Sequence, residues 1–102
     1  MYYSNITTLK LKPNLYKMEK KILLALEKIF SKVFEKKIKL NKNVSSSNIE
    51  GWDSLANLNI LMAIEKEFDI QFNLSEIENL KNIGGMMELM KIKINEKTRN
   101  RR

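Results

Sequence analysis

A chain of 102 residues with no Cys and no His is sized for one domain with a single modest core, and it lacks the residues of disulfide frameworks, thiolate metal sites and His-based catalysis. Its formal charge of +7 is unevenly spread: residues 1–43 hold 11 Lys against 3 acids, residues 44–90 hold 2 Lys against 8 acids, and residues 91–102 hold 6 Lys or Arg against 1 acid. Net basicity ordinarily suggests nucleic acid or an anionic membrane, but the acidic middle argues against a continuous basic interface; no apolar run approaches the ~18 residues of a membrane span, and no secretory signal opens the chain, so the expected location is cytoplasmic.

Residues 1–17 contain a short alternation around Thr8–Lys12 and then Pro13, with no second strand to pair against. They are expected to form a flexible N-terminal arm, and to reflect the choice of start site rather than a functional leader. From Met18 to about Lys37, Ile22, Leu23, Leu26, Ile29, Phe30, Val33 and Phe34 recur at helical spacing, which predicts an amphipathic helix. Its opposite face carries Lys20, Lys28, Lys32 and Lys36 against Glu27 and Glu35. A membrane-lying helix has this pattern, but such a stripe more often faces a core. Ile38 and Leu40 are expected to run over that core.

Residues 41–53 read as a long loop of turn formers and hydroxyls, closing on Gly51-Trp52-Asp53-Ser54-Leu55. Asp53 or Ser54 is a good N-cap for the helix that follows to about Phe68. Either choice leaves the Ser54 hydroxyl in the first turn, where unpaired N–H groups and the positive end of the helix dipole favour an anion. Trp52 is expected to pin the loop over the bundle. On a helical wheel Leu55, Leu58, Ile60, Leu61, Met62, Ile64 and Phe68 span roughly 220° at ~100° per residue, about twice the stripe that a surface helix needs. Ile60, Leu61, Ile64 and Phe68 are placed against the bundle; Leu55, Leu58 and Met62 are left for a partner or a bound acyl chain. The alternative is that all seven are buried between helices.

After an extended Asp69–Phe72 connector, Asn73 or Ser75 can cap a short helix near Ser75 to Leu80. A helix so short depends on packing through Ile77 and Leu80. Asn82 reads as the N-cap of a last helix with Ile83, Met86, Met87 and Met90 inward; Gly84 and Gly85 weaken its start by ~1 kcal/mol each relative to Ala. Residues 95–102 are expected to be a basic, solvated tail.

Within Ile49–Ile92, the run Ile-Glu-Gly-Trp-Asp-Ser-Leu, then Ile-Glu-Lys-Glu-Phe-Asp-Ile, then Ile-Gly-Gly-Met-Met-Glu-Leu-Met resembles the acyl carrier proteins. With the preceding helix, the resemblance covers residues 18–94. It implies an all-α, four-helix bundle of three longer helices and one short one, and a covalent 4'-phosphopantetheine on the serine of Asp-Ser-Leu, here Ser54. Acyl or aminoacyl groups then ride as thioesters on its terminal thiol. The resemblance also implies that Asp53 presents a carboxylate to the modifying enzyme and that Leu55 is an apolar anchor beside the arm. Helix capping and ordinary core packing are the plainer accounts of these two. Leu58 and Met62 become partner-binding, together with acids from the set Glu65, Glu67, Asp69, Glu76 and Glu78, each of which a solvated face would also explain.

The chain departs from fatty-acid carriers at Ala56 and Asn59, where acids are usual, at Lys66, and at Gly-Trp-Asp in place of Gly-Ala-Asp; these departures lean toward specialised pathways. A nucleophilic Ser54 would need an adjacent base and an oxyanion hole, and no Gly-x-Ser-x-Gly elbow is present. The expectation is a non-catalytic, monomeric carrier of fatty acid, polyketide or nonribosomal peptide biosynthesis. Its partners would be a phosphopantetheinyl transferase, an acyl or aminoacyl ligase or transferase, and downstream enzymes, with no nucleic acid and no metal. The rival is a small basic helical protein binding nucleic acid or a membrane surface, disfavoured because no stacking aromatics accompany its basic runs.

Overall fold

The computed structural model describes the backbone of residues 2–99 and the side chains of residues 16–97. Four helices follow in order: α1 (Tyr2–Phe34), α2 (Ser54–Phe68), α3 (Leu74–Asn79) and α4 (Ile83–Arg99). The expected four-helix, all-α architecture is present, with three long helices and one short one.

Ile22, Leu26 and Phe30 recur every four residues along α1 and lie fully buried, opposite Ile60, Leu61 and Ile64 of α2 and Ile83, Met86, Met87 and Met90 of α4. Large side chains buried in this way each stabilise the fold by ~1.5–3 kcal/mol. Three residues of the apolar stripe that could have lain on a membrane are therefore taken up by the protein's own core, and Leu23, Ile29, Val33 and Phe34 pack against it half-buried. Ile38 and Leu40 cover the core as expected, and Ile70 and Phe72 close its far end.

The helix ends are set by identifiable contacts. Glu35, at φ 54°, turns the chain out of α1 near the Lys37 boundary read from sequence. Ser31 Oγ accepts from Ile38 N at 2.9 Å, and Glu27 Oε2 accepts from Leu40 N at 2.8 Å. Asp69 in the left-handed region ends α2. Asn73 caps α3, its Oδ1 accepting from Glu76 N while Glu76 Oε1 accepts from Asn73 N. Asn82 Oδ1 accepts from Gly85 N at 2.6 Å and so caps α4.

Two boundaries differ from the sequence reading. The helix expected from Met18 is continuous from Tyr2, through most of the residues assigned to an arm. Once a helix is nucleated, each added residue gains a backbone hydrogen bond, whereas a lone extended segment gains none. At the other end α4 continues to Arg99, and Lys97 pairs with Asp69 at 2.7 Å. Met1 and residues 100–102, the extremes of the expected arm and tail, lie outside the described residues. Among the described residues no helix is long and apolar enough to cross a membrane.

Candidate functional site

The site is built by the 41–53 loop, which is fastened at both ends. Its first half is sewn to the α3–α4 connection: Ser46 N donates to Lys81 O at 2.9 Å, Ile83 N to Val44 O at 2.9 Å, and Gly84 N to Lys42 O at 3.1 Å. A Cβ on Gly84 would lie 3.0 Å from Lys42 O, so the glycine that weakens the helix start is what lets the loop approach. Its second half is held by Trp52, buried with its ring edge-on to Phe30 at 4.9 Å between centroids. Gly51 at φ 92° supplies the turn before it, a conformation that L side chains rarely adopt.

A buried polar relay locks this loop to the bundle. Trp52 Nε1 donates to Asn57 Oδ1 at 2.9 Å, and Asn57 Nδ2 donates to Ile77 O at 3.0 Å. One side chain, only 3% exposed, thereby ties the loop, α2 and α3 together. The sequence reading missed Asn57, although a signal was present: at ~100° per residue it falls inside the apolar arc of α2, where a polar residue needs partners.

Asp53 is the N-cap of α2, its Oδ1 accepting from Ala56 N at 2.9 Å, while its carbonyl accepts from Asn57 N at 2.8 Å. Ser54 is therefore the first helical residue, and it is exposed. Its N–H and that of Leu55 precede the first intrahelical bond. Beside Ser54 is a small hollow of about 190 Å³ lined also by Ser46, Trp52, Asp53, Asn57 and Lys81. A phosphodiester at the Ser54 hydroxyl fits these surroundings: the residue is exposed, the helix dipole favours the anion, and Lys81 is among the residues that line the hollow.

The remaining site residues divide into two groups. Leu55 (67% exposed), Leu58 (38%) and Met62 (55%) stand on the outer face of α2. The alternative in which all seven apolar residues of α2 are buried is thereby set aside. Of the two acids, Glu65 lies in line with Leu58 and Met62 at ~100° per residue and is half-buried, while Glu67 faces away from them. Glu65 Oε2 accepts from Phe72 N at 2.9 Å and fastens the connector after α2. Glu67 is exposed on the side of α2 turned toward α1. Two other acids of the expected surface have internal partners: Asp69 pairs with Lys97, and Glu76 with Lys93 at 3.1 Å. The Asn73 N–H, and then Lys93, hold the Glu76 carboxyl below the usual range.

A solution structure of a holo acyl carrier protein from Geobacter metallireducens has the same fold, with a TM-score of 0.70 and 34% sequence identity over 78% of this chain and 93% of that one. A scan against protein-family models and a search of curated proteins return no match.

Proposed function

The chain belongs to the acyl carrier protein family, and on that premise we propose that it carries an acyl or aminoacyl group as a thioester on a 4'-phosphopantetheine attached through a phosphodiester to Ser54. The observation that carries this reading is the exposed Ser54 hydroxyl at the first turn of α2, reached by a loop that Trp52, Asn57 and Lys81 hold in place. When bound, the group supplies the thiol that a chain without Cys lacks.

Each neighbouring residue has a task in this reading. Asp53 fixes the first turn and so sets where the Ser54 oxygen points. Leu55, Leu58 and Met62 form the apolar face on which partner enzymes dock, and Lys81 lines the hollow beside the phosphodiester. The chain itself is non-catalytic in this account, since a cargo attached and removed by partners needs only an accessible tether. Ala56 and Asn59, in place of acids beside the site, favour partners of a specialised pathway over those of housekeeping fatty-acid synthesis. The carrying unit is residues 18–94, with residues 1–17 and 95–102 dispensable for modification.

Incubation with coenzyme A and a broad-specificity phosphopantetheinyl transferase, followed by intact mass measurement, tests the proposal. One phosphopantetheine per chain is expected, absent from a folded Ser54→Ala variant. An unmodified wild-type chain, or a modified variant, would overturn it. Truncation to residues 18–94 should leave the modification intact.

A further inference from the structure

A second surface, on the other side of α2 from the apolar face, is unaccounted for by carriage. Two adjoining hollows of about 470 and 580 Å³ run between α1 and α2 and share Lys28, Ile29 and Glu67 in their walls, so they form one furrow. Its floor is apolar: Leu24 (52% exposed) stands at one end, and Ile29, Val33, Ala63 and Phe68 are half-buried along it. Its rim is basic. Lys21, Lys28, Lys32 and Lys66 are exposed around it against Glu67 alone, and among the described residues none of these four lysines is held in an ion pair.

We propose that this furrow docks an acidic amphipathic helix of a partner protein, lying between α1 and α2 with apolar side chains on the Leu24–Ile29–Val33 floor and carboxylates against Lys21, Lys28, Lys32 and Lys66. The combination of floor and rim selects this occupant. Nucleic acid would satisfy the lysines but has no use for an aliphatic floor. A bilayer surface needs projecting apolar side chains, whereas of those along this furrow Leu24 alone is exposed and Ile29, Val33 and Phe68 are half-buried. A helix laid in a groove places side chains at i, i+3, i+4 and i+7 into such a floor and leaves its flanks for charge pairing.

The position of the furrow leaves the carrier site free. At ~1.5 Å per residue, Ala63 lies roughly 14 Å along α2 from Ser54, and at ~100° per residue Ala63 and Glu67 lie about 140° around the helix from Leu58 and Met62. A partner could hold the protein here while another enzyme works at Ser54. The proposal does not depend on modification of Ser54.

The test uses the full chain and two synthetic 18-residue helical peptides that share leucines at i, i+3, i+4 and i+7, one with glutamates on its polar face and the other with lysines. Binding is read by ¹H–¹⁵N shift mapping and fluorescence anisotropy. The acidic peptide should bind, with shifts centred on residues 21–33 and 63–68, and the basic peptide should not. Lys28→Glu with Lys32→Glu should weaken binding about tenfold or more. The same charge change at exposed Lys20 and Lys81, which line neither hollow of the furrow, should weaken it less than threefold, and Leu24→Gln should weaken it with no change of charge. Ser54→Ala should bind like wild type. Equal losses in the two charge-reversal variants would mean diffuse attraction and overturn the proposal. So would failure of the acidic peptide to bind, shifts centred on Leu55, Leu58 and Met62, or stronger engagement of the furrow by phosphatidylglycerol vesicles or a single-stranded oligonucleotide.

Discussion

Replacing Asn57 by Ala removes both bonds of the relay that positions the loop before Ser54. Trp52 Nε1–H would be stranded in a buried site and the Ile77 carbonyl would lose its partner. An unsatisfied buried group costs ~1–3 kcal/mol; the Ile77 carbonyl is assigned the low end, because Ile77 is half-buried and water can reach it. The expected loss is about 2–4 kcal/mol, a large share of the ~5–15 kcal/mol that a domain possesses. At ~4–8 °C per kcal/mol for a domain of this size, Tm should fall by about 10 °C or more. Thermal and urea unfolding followed by far-UV circular dichroism measures this, with exposed Asn59→Ala as the control, expected within ~0.5 kcal/mol of wild type. Trp52→Phe keeps an aromatic against Phe30 and removes the indole donor, so the double variant with Asn57→Ala should show a coupling of about 1 kcal/mol or more. An Asn57→Ala midpoint matching that of Asn59→Ala, or additive single losses, would refute the relay.

The outer face of α2 separates a docking surface from a packed one. Leu58→Gln and Met62→Gln should stay within about 0.5 kcal/mol of wild type, while Ile64→Ala in the core should lose about 2–5 kcal/mol; denaturant midpoints decide between them, and transfer by partner enzymes should suffer in the first two. Gly51→Ala forces a side chain into a positive φ and should lose about 1–2 kcal/mol, measured the same way, with transferase rates at Ser54 reduced as the loop shifts. Titration supplies another test. Its bonds to Lys91 and then Lys42 hold the Glu19 carboxyl below the usual range, and Glu76 is held down likewise. A carboxylate with a depressed folded pKa contributes stability that is full above the ordinary glutamate value of ~4.3 and is lost as pH falls through the folded value. Lys91 is raised by Glu19 and then Glu88, so its contribution is full below ~10.4 and lost as pH rises through its folded value. Unfolding midpoints for Glu19→Gln should therefore depend less on pH at the acid end than those of wild type, and an unchanged acid limb would contradict the pairing.

Much of this fold was legible because α2 and the buried half of α1 obey one periodicity. Asp53, Asn73 and Asn82 mark three helix starts, and the surplus apolar arc of α2 singled out Leu55, Leu58 and Met62, which are exposed. Contacts distant in sequence were less legible. The partner of Glu65 is a backbone N–H seven residues on, and Asn57 meets Trp52 and Ile77 only once loop and α3 are in place, so neither role follows from composition or spacing. Gly84 read as weakness because its reason, the Lys42 carbonyl, lies in another segment. The N-terminal boundary was misplaced for a different cause: Pro13 reads as a breaker, and only the nucleated remainder of α1 offers continuation through it.

Fragment-level mass spectrometry of the modified chain tests the central claim most directly. Cleavage after lysine yields a peptide of residues 43–66, which contains Ser45, Ser46 and Ser47 as well as Ser54. Fragmentation of that peptide should place the whole phosphopantetheine mass on Ser54 and leave the three loop serines unmodified. A phosphopantetheine on Ser45, Ser46 or Ser47, or one divided among several serines, would contradict the account.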